Sequence, residues 1–309
     1  MGPVKIFSGS GTKDLAKAIA KAYGQPLGEV TKETFSDGEM GVHFNESVRG
    51  CDVFLIQSTT PPSDNLWELL LMIDAARRAS ARYVTVVVPY YGYARQDRKD
   101  KPRVAIAAKL AANVLTSAGA NRIMTCDLHA GQIQGFFDIP VDHLDASAIF
   151  VPYVNQLNLE NLIIASPDVG GTKRARAYAK YFEVDMIVCD KYRKRANEIA
   201  SMQVIGDVDG KDVVLVDDLV DTAGTISKAA TIIKEKGAKS VRAVVTHGVL
   251  SGNAHKNIEE SALEELVITD TIPQMTGSEK VKVLTVADLF GQAIQRIQSH
   301  GSISALFIK

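Results

Sequence analysis

Short runs of β-branched residues alternate along this chain with stretches whose apolar positions recur at helical spacing. Val4–Phe7 reads as a strand, and Leu15, Ala18, Ile19 and Ala22 then share one face of a helix over about Lys13–Tyr23. Val53–Gln57 predicts a strand, Leu66, Leu69, Leu70 and Ile73 a helix, and Tyr83–Val88 another strand. A polar stretch, Tyr90–Arg103, interrupts before Val104, Ala107, Ala108, Ala111 and Leu115 resume a helix and Ile123–Cys126 a strand. Past Asp145 the order begins again, with strands at Leu162–Ala165, Met186–Cys189, Val213–Val216 and Val241–Thr246. Helical patterns lie between the first two of these and between the last two. Parallel α/β sheets are written this way. The expected fold is α/β, with two similar domains, 1–146 and 147–289, each a mainly parallel sheet flanked by helices. The tail, 290–309, is expected to return to the first domain or to a neighbouring subunit. One larger α/β domain is the plainer alternative.

Length and charge narrow the picture. A chain of 309 residues has room for two cores. With 35 Lys+Arg against 36 Asp+Glu it has no global pull toward nucleic acid or an anionic membrane. No apolar run approaches the ~18 residues of a membrane span. The start, Met1–Phe7, lacks the apolar stretch of a secretory leader, and Ile6 stands where a myristoylation pattern needs Ser or Thr. Cys51, Cys126 and Cys189 are far apart and odd in number, so a reducing cytoplasm is expected, with Cys126 and Cys189 as packed thiols.

Two Lys- and Arg-rich insertions, Tyr90–Arg103 and Lys191–Met202, each follow a strand directly. Ligands of open parallel sheets gather at the carboxyl ends of strands, so chemistry is expected there. The sharpest signal is Val213-Val-Leu-Val-Asp-Asp-Leu-Val-Asp-Thr-Ala-Gly-Thr225, followed by Ile226, Ala229, Ala230 and Ile233 at helical spacing. A buried strand thus feeds a short loop and a helix N-terminus. The backbone N–H groups of Asp221, Thr222, Ala223, Gly224 and Thr225, with the two threonine hydroxyls, suit a phosphate dianion. Asp217 and Asp218 would repel that phosphate but suit vicinal hydroxyls of a sugar, because ionised carboxylates only accept. A sugar phosphate is the implied ligand. Simple helix capping does not call for so many acids and hydroxyls in this arrangement.

Other motifs are weaker alone. Phe35-Ser-Asp-Gly-Glu39 offers an aromatic face for a base, with Asp37 and Glu39 as acceptors for an exocyclic amine. A solvated turn around Asp37-Gly38 explains it equally well. Pro89-Tyr-Tyr-Gly-Tyr-Ala-Arg-Gln-Asp-Arg-Lys99 joins a Gly hinge, aromatics and cations, of which Arg95 suits bidentate binding of phosphate oxygens. Asp127-Leu-His129 closes a strand, and i, i+2 spacing predicts both side chains on one face. The pair could hold a metal, although Mg2+ prefers oxygen and a lone His more often serves as a core or hydrogen-bonding residue. No G-x-x-x-x-G-K-[ST] loop is present and no G-x-G-x-x-G follows a strand, so any ATP site has another architecture.

The sugar-phosphate loop resembles that of the type I phosphoribosyltransferase family, which alone does not separate enzymes that consume phosphoribosyl diphosphate (PRPP) from one that makes it. Phe35–Glu39, Tyr93-Ala-Arg-Gln-Asp97, Asp127-Leu-His-Ala-Gly-Gln-Ile-Gln-Gly-Phe-Phe137, Ser166-Pro-Asp-Val-Gly-Gly171 and that loop follow one another in order. Together, from about Lys5 to Ser302–Phe307, they resemble the ribose-phosphate diphosphokinases, or PRPP synthetases, of the bacterial class I type. The resemblance implies phosphoribosyltransferase-like domains and the reaction of ATP with ribose 5-phosphate to PRPP and AMP, the anomeric hydroxyl attacking the β-phosphorus. It implies ATP contacts from Phe35, Asp37, Gly38 and Glu39 at the adenine end, and from Arg95, Gln96 and Asp97 nearer the phosphates. It assigns Mg2+ to His129 and Asp168, ribose 5-phosphate to Asp217, Asp218 and Asp221–Thr225, and catalysis to Lys191 and Arg193 in a mobile loop. Lys194 and Arg195 read as solvated charge.

The resemblance further implies a homohexamer, activated by phosphate and inhibited by ADP at an inter-subunit site. Ser47, Arg49, Gln134, Asp142, Ser302, Ser304 and Phe307 stand at the matching positions. The chain departs from the family pattern over Lys99–Ile106, where Pro102 and Val104-Ala105 replace a usual Ser-Arg-x-Pro-Ile, which bears on loop motion and phosphate regulation. A phosphoribosyltransferase, the enzymatic rival, would not need Phe35–Glu39 and Arg95–Asp97. A catalytically silent regulatory homologue should have lost Lys191, His129 or a substrate loop.

Overall fold

In a computed structural model of the protein, residues 2–195, 198–274 and 277–308 are described, except for the side chains of 191–195 and 198–201. The chain divides into two compact units. The first is Met1–Asp145 with Thr271–Pro273 and Val286–Phe307, and the second is Ala146–Asp270 with Gln274–Thr285 and Ile308–Lys309.

The first unit runs β1 (Val4–Ser8), α1 (Lys13–Tyr23), β2 (Val30–Thr34), β3 (Met40–Phe44), β4 (Asp52–Ile56), α2 (Asp64–Arg78), β5 (Tyr83–Val88), α3 (Ala107–Ala118), β6 (Arg122–Cys126) and β7 (Val141–Leu144). A 5-stranded parallel sheet has the order β1-β4-β5-β6-β7, and β2 and β3 form a separate antiparallel hairpin. Every residue of β4 is buried, as expected of a strand covered on both faces, and this is why Val53–Ile56 is a continuous apolar run rather than an alternation. Val53, Leu55, Val84 and Val86 pack in one cluster with Leu69, Met72 and Ile73 of α2 and Ala108, Ala112 and Leu115 of α3. These helix positions are the i, i+3, i+4 sets of an amphipathic face. Helix α1 ends at Gly24, whose φ of 106° and N–H bond to the Ala20 carbonyl at 3.0 Å make a left-handed cap that glycine adopts without strain.

The second unit runs α4 (Ser147–Gln156), β8 (Leu162–Ser166), α5 (Thr172–Phe182), β9 (Met186–Arg195), β10 (Glu198–Ile205), β11 (Asp212–Val220), α6 (Gly224–Glu235), β12 (Ser240–Gly248), α7 (Ala254–Glu259), β13 (Glu265–Thr269) and β14 (Val281–Leu284). The last helix, α8 (Ala287–Gln298), belongs to the first unit and packs on α1. A 7-stranded sheet has the order β10-β9-β8-β11-β12-β13-β14 and is parallel apart from β10. From β8 the chain moves outward to β9, then returns to β11 on the other side of β8. That reversal is a topological switch point, where connections leave in opposite directions and a crevice opens at the strands' carboxyl ends. Both units are mainly parallel sheets flanked by helices, the α/β architecture the alternation predicts.

One expectation changes. Lys191–Met202 reads as a loop, yet β9 continues to Arg195 and pairs antiparallel with β10, Lys191 opposite Met202. Strand β8 accompanies β9 only from Met186 to Val188, so beyond it the extension pairs with β10 alone among the described strands. Among the described residues, no helix is long and apolar enough to cross a membrane. Cys51, Cys126 and Cys189 are buried and unbridged.

Candidate active site

The switch point brings two loops together at the ends of β8 and β11. After β8, Ser166–Gly171 folds around Asp168: the Gly171 N–H donates to its Oδ1 at 3.0 Å, and the Ser166 hydroxyl donates to its backbone carbonyl at 2.6 Å. A Cβ added to Gly171 would lie 3.9 Å from Asp168 Oδ1 and 3.8 Å from Asp217 Oδ1, so the two carboxylates face the same small space. Asp217 Oδ1 accepts the Asp218 N–H at 2.9 Å. Burial, then the charges of Asp218 and Asp168, hold the Asp217 carboxyl well above the usual carboxylate range. Crowded oxygen acceptors of one sign suit a hard cation or hydroxyl donors.

Asp217 is not at the strand's end. Strand β11 runs on to Val220 because β12 continues beside it, Val220 opposite Gly248, whereas its pairing with β8 stops at Leu215 opposite Ala165. Asp217 and Asp218 therefore stand where one neighbouring strand has ended and the other has not.

Asp221, Thr222 and Ala223 then turn the chain into α6. Ala223 adopts φ 59° and ψ 3°, the left-handed region, and α6 begins with no side-chain cap. Its first N–H groups are thus left for an anion. A Cβ on Gly224 would meet only Thr222 Oγ1, at 3.8 Å, so the space over the helix start is open. The Ser251 hydroxyl donates to Asp221 Oδ1, and Asn257 Nδ2 donates to the Thr222 carbonyl at 2.8 Å. Neither Ser251 nor Asn257 is foreseen by the motif. Only the Ser251-Gly252-Asn253 turn composition hints at a loop there.

In the first unit, Phe35–Glu39 is the tip of the β2–β3 hairpin. The Phe35 N–H donates to the Glu39 carbonyl at 2.8 Å, the Gly38 N–H donates to the Phe35 carbonyl at 2.9 Å, and Gly38 has φ 93°. The Glu39 N–H donates to Asp37 Oδ1 at 3.0 Å. Asp37 and Gly38 are accounted for by the turn they build. Phe35, 53% exposed, is an aromatic face held out to solvent.

After β5, Tyr90 and Tyr91 are buried, and the Gly92 N–H donates to Thr59 Oγ1 at 2.7 Å. Beyond this anchor Arg95 and Gln96 are exposed and Asp97 is half-buried. The Gln96 carbonyl accepts the Ala108 N–H at 3.2 Å, joining the loop to the start of α3.

The strand alternation expected to put Asp127 and His129 on one face does not reach them. Strand β6 ends at Cys126, and Asp127 has φ 37°, so the alternation stops just before the pair. Asp127 is buried and His129 exposed. Among the described residues no three His, Cys, Asp or Glu side chains group as a metal-binding set. Lys191 and Arg193 have their backbone in β9, and their side chains lie outside the described residues.

The residues of the expected effector site all belong to the first unit. Arg49 donates through its N–H to Ser47 Oγ at 3.5 Å and through Nη1 to Ser80 Oγ at 3.1 Å. Gln134 Nε2 donates to the Gly131 carbonyl at 3.0 Å. Asp142 forms an ion pair with Arg122 at 2.7 Å. The Ser302 and Ser304 hydroxyls share a hydrogen bond of 2.6 Å, and Phe307 is partly exposed.

Family models match residues 4–119, described as the N-terminal domain of ribose phosphate pyrophosphokinase, and residues 191–308, described as the phosphoribosyl synthetase-associated domain. The chain is 58% identical over 303 residues to a ribose-phosphate pyrophosphokinase of Porphyromonas gingivalis, covering 98% of this chain and 97% of that one. It is 54% identical over 305 residues to the protein of that name from Wolinella succinogenes, covering 98% and 99%. Its fold matches the crystal structure of phosphoribosylpyrophosphate synthetase from Mycobacterium smegmatis with a TM-score of 0.91 at 38% identity, over 97% of this chain and 100% of that one. By sequence over nearly its whole length and by fold, the chain belongs to the ribose-phosphate pyrophosphokinase family.

Proposed function

We propose that this chain moves the β,γ-diphosphoryl group of ATP, as a unit, onto the 1-hydroxyl of ribose 5-phosphate, giving PRPP and AMP for nucleotide biosynthesis. The reading rests on the uncapped start of α6 beside the Asp168, Asp217 and Asp218 carboxylates: a seat for a dianion next to acceptors for sugar hydroxyls. The 5-phosphate would accept the N–H groups of Ala223, Gly224 and Thr225 and the hydroxyls of Thr222 and Thr225. Asp217 and Asp218 would accept from the vicinal hydroxyls and so orient the anomeric carbon.

On the donor side, Phe35 would stack on adenine with Glu39 beside its amine, and Arg95, Gln96 and Asp97 would meet the phosphates. In-line transfer asks the protein mainly for alignment and positive charge. Arg95, Lys191 and Arg193 would supply that charge, each preorganised contact being worth about 10²–10³ in rate. Asp168 and His129 would hold Mg2+, which when bound neutralises phosphate charge.

Phosphate and ADP would act as effectors at Ser47, Arg49, Gln134, Asp142, Ser302, Ser304 and Phe307 of a hexamer, and the buried thiols favour a cytoplasmic setting. Incubation with ribose 5-phosphate and ATP labelled at both the β- and γ-phosphorus tests the central reading. AMP should form only when the sugar phosphate is present, with both labels on carbon 1 of the product. ADP formation, or AMP formation without the sugar phosphate, would overturn it.

A further inference from the structure

One buried carboxylate outside all the residues assigned above collects donors from three separate segments. Glu68, in the first half of α2, is 3% exposed. Its Oε1 accepts the Ser10 N–H at 2.9 Å, and its Oε2 accepts the Ser10 hydroxyl, Gln57 Nε2 at 3.2 Å and Lys32 Nζ at 3.4 Å. Lys32 Nζ also donates to Ser10 Oγ at 3.2 Å. Gln57 is fixed in turn, its Oε1 accepting the Gly11 N–H at 3.0 Å and the Thr12 hydroxyl at 3.1 Å. Gly9 makes room for it, since a Cβ there would lie 2.4 Å from Gln57 Cδ.

An ionised carboxylate is tolerated at such depth only when its charge and lone pairs are met. Ser10 and Gln57 stand at the carboxyl ends of β1 and β4, the edge where this sheet would receive a ligand. Lys32 stands on β2, just before the tip that carries Phe35. Strands β2 and β3 pair only with each other among the described strands, so side-chain contacts must set how the hairpin is held. The Phe7–Phe44 ring contact and the Lys5–Glu46 ion pair hold its base, and Lys32–Glu68 ties it closer to the tip.

We propose that Glu68 is a positioning residue for the nucleotide: through Lys32 it fixes the hairpin against the sheet and so sets where Phe35 meets the adenine ring. This rests on the reading of Phe35 as the adenine contact. The Lys32 head is partly exposed while Glu68 is not, so the lysine can be replaced without opening the core.

Steady-state kinetics of the full chain carrying Glu68→Gln, Lys32→Met, the two together, Lys32→Arg or Phe35→Ala test it. Glu68→Gln and Lys32→Met should each raise the KM for ATP about tenfold, the factor a charge-assisted hydrogen bond commands, with kcat and the KM for ribose 5-phosphate unchanged. The double variant should be no worse than Glu68→Gln, and Lys32→Arg should restore ATP binding. Should Glu68→Gln fail to fold, Lys32→Met carries the test alone. A wild-type KM for ATP in Lys32→Met, or a parallel fall of kcat and both affinities, overturns the proposal while Phe35→Ala still raises the KM for ATP. A wild-type KM for ATP in Phe35→Ala instead overturns the adenine reading itself.

Discussion

The Ser58 hydroxyl donates to the backbone carbonyl of Thr271 at 2.6 Å, across a sequence separation of 213, and accepts the Tyr90 N–H at 3.1 Å. Both neighbours are buried. Thr271–Pro273 is the short stretch that joins the first unit between two segments of the second, and Tyr90 opens the loop that carries Arg95. One hydroxyl therefore clasps a returning segment to the root of the Arg95 loop. Ser58→Ala removes the clasp without adding bulk and should cost about 1–3 kcal/mol, the range for a buried hydrogen bond whose partners lose it. Urea unfolding measures this, and a variant as stable as the wild type would show that the clasp contributes nothing.

Gly92 is explained by close approach. A Cβ there would stand 2.0 Å from the Thr59 carbonyl oxygen, backbone against backbone, where no side-chain rotation relieves the overlap. Gly92→Ala should therefore displace the loop that leads to Arg95. The expected result is weakened ATP binding with ribose 5-phosphate affinity kept, read by separate calorimetric titrations. Loss of both affinities together would point to general unfolding instead.

Legibility along the chain follows burial. Strands β4, β5 and β11 each carry a mainly apolar run because helices cover both faces, and the sequence places them within a few residues. The hairpin β2–β3 is not legible, because Val30 and Thr31 are half-buried while Lys32, Glu33 and Thr34 are exposed, leaving no clean alternation. Motif spacing finds the loops at Ser166–Gly171 and Asp221–Thr225, since short-range chemistry defines them. It does not carry to Asp127 and His129, which lie past the end of β6, where Asp127 has a positive φ. Contacts such as Ser251–Asp221 and Glu68–Lys32 join distant segments, and Glu68 read in sequence is just a polar position within an amphipathic helix.

Ala223 holds a left-handed backbone at φ 59° while its side chain is buried. That conformation costs a non-glycine residue about 1–2 kcal/mol. Ala223→Gly removes the strain but adds about as much disorder to the unfolded chain, so stability should scarcely change. Ala223→Val places a branched carbon in the same conformation and a packed space, and should turn the α6 N–H groups away from the phosphate. Calorimetry should show ribose 5-phosphate binding kept in the first variant and lost in the second. Equal binding in both would detach the loop's geometry from phosphate recognition.

Hydrogen bonding from the Lys5 ammonium holds the Glu46 carboxyl below its ordinary range, outweighing desolvation, and the Glu29 N–H donates to Glu46 Oε1 at 3.1 Å. A carboxyl whose folded-state pKa is depressed adds stability above its unfolded pKa and loses it as pH falls through the folded value. Folding free energy should therefore decline on acidification below about pH 4.5, and Lys5→Met should make that decline shallower. Both side chains are partly exposed, so salt should shrink the difference. Urea titrations at several pH values compare the slopes, and identical acid slopes in wild type and Lys5→Met would remove the pair's role.

Lys191 lies on the part of β9 that pairs with β10 and has left β8 behind, an extension held by one partner strand. A cation carried there and brought to the diphosphoryl group only as charge shifts between oxygens would strengthen mainly in the transition state. Loss of such a contact lowers kcat and kcat/KM alike and leaves ground-state affinity intact. Lys191→Ala should accordingly reduce turnover by about 10²–10³ while ATP binding, titrated at equilibrium, stays near wild type. Lys191→Arg should recover only part of the rate, because a planar fork does not replace a compact point charge. Near-normal turnover with a raised KM for ATP in Lys191→Ala would reassign the lysine to ground-state binding and leave Arg193 and Arg95 to meet the transferring group.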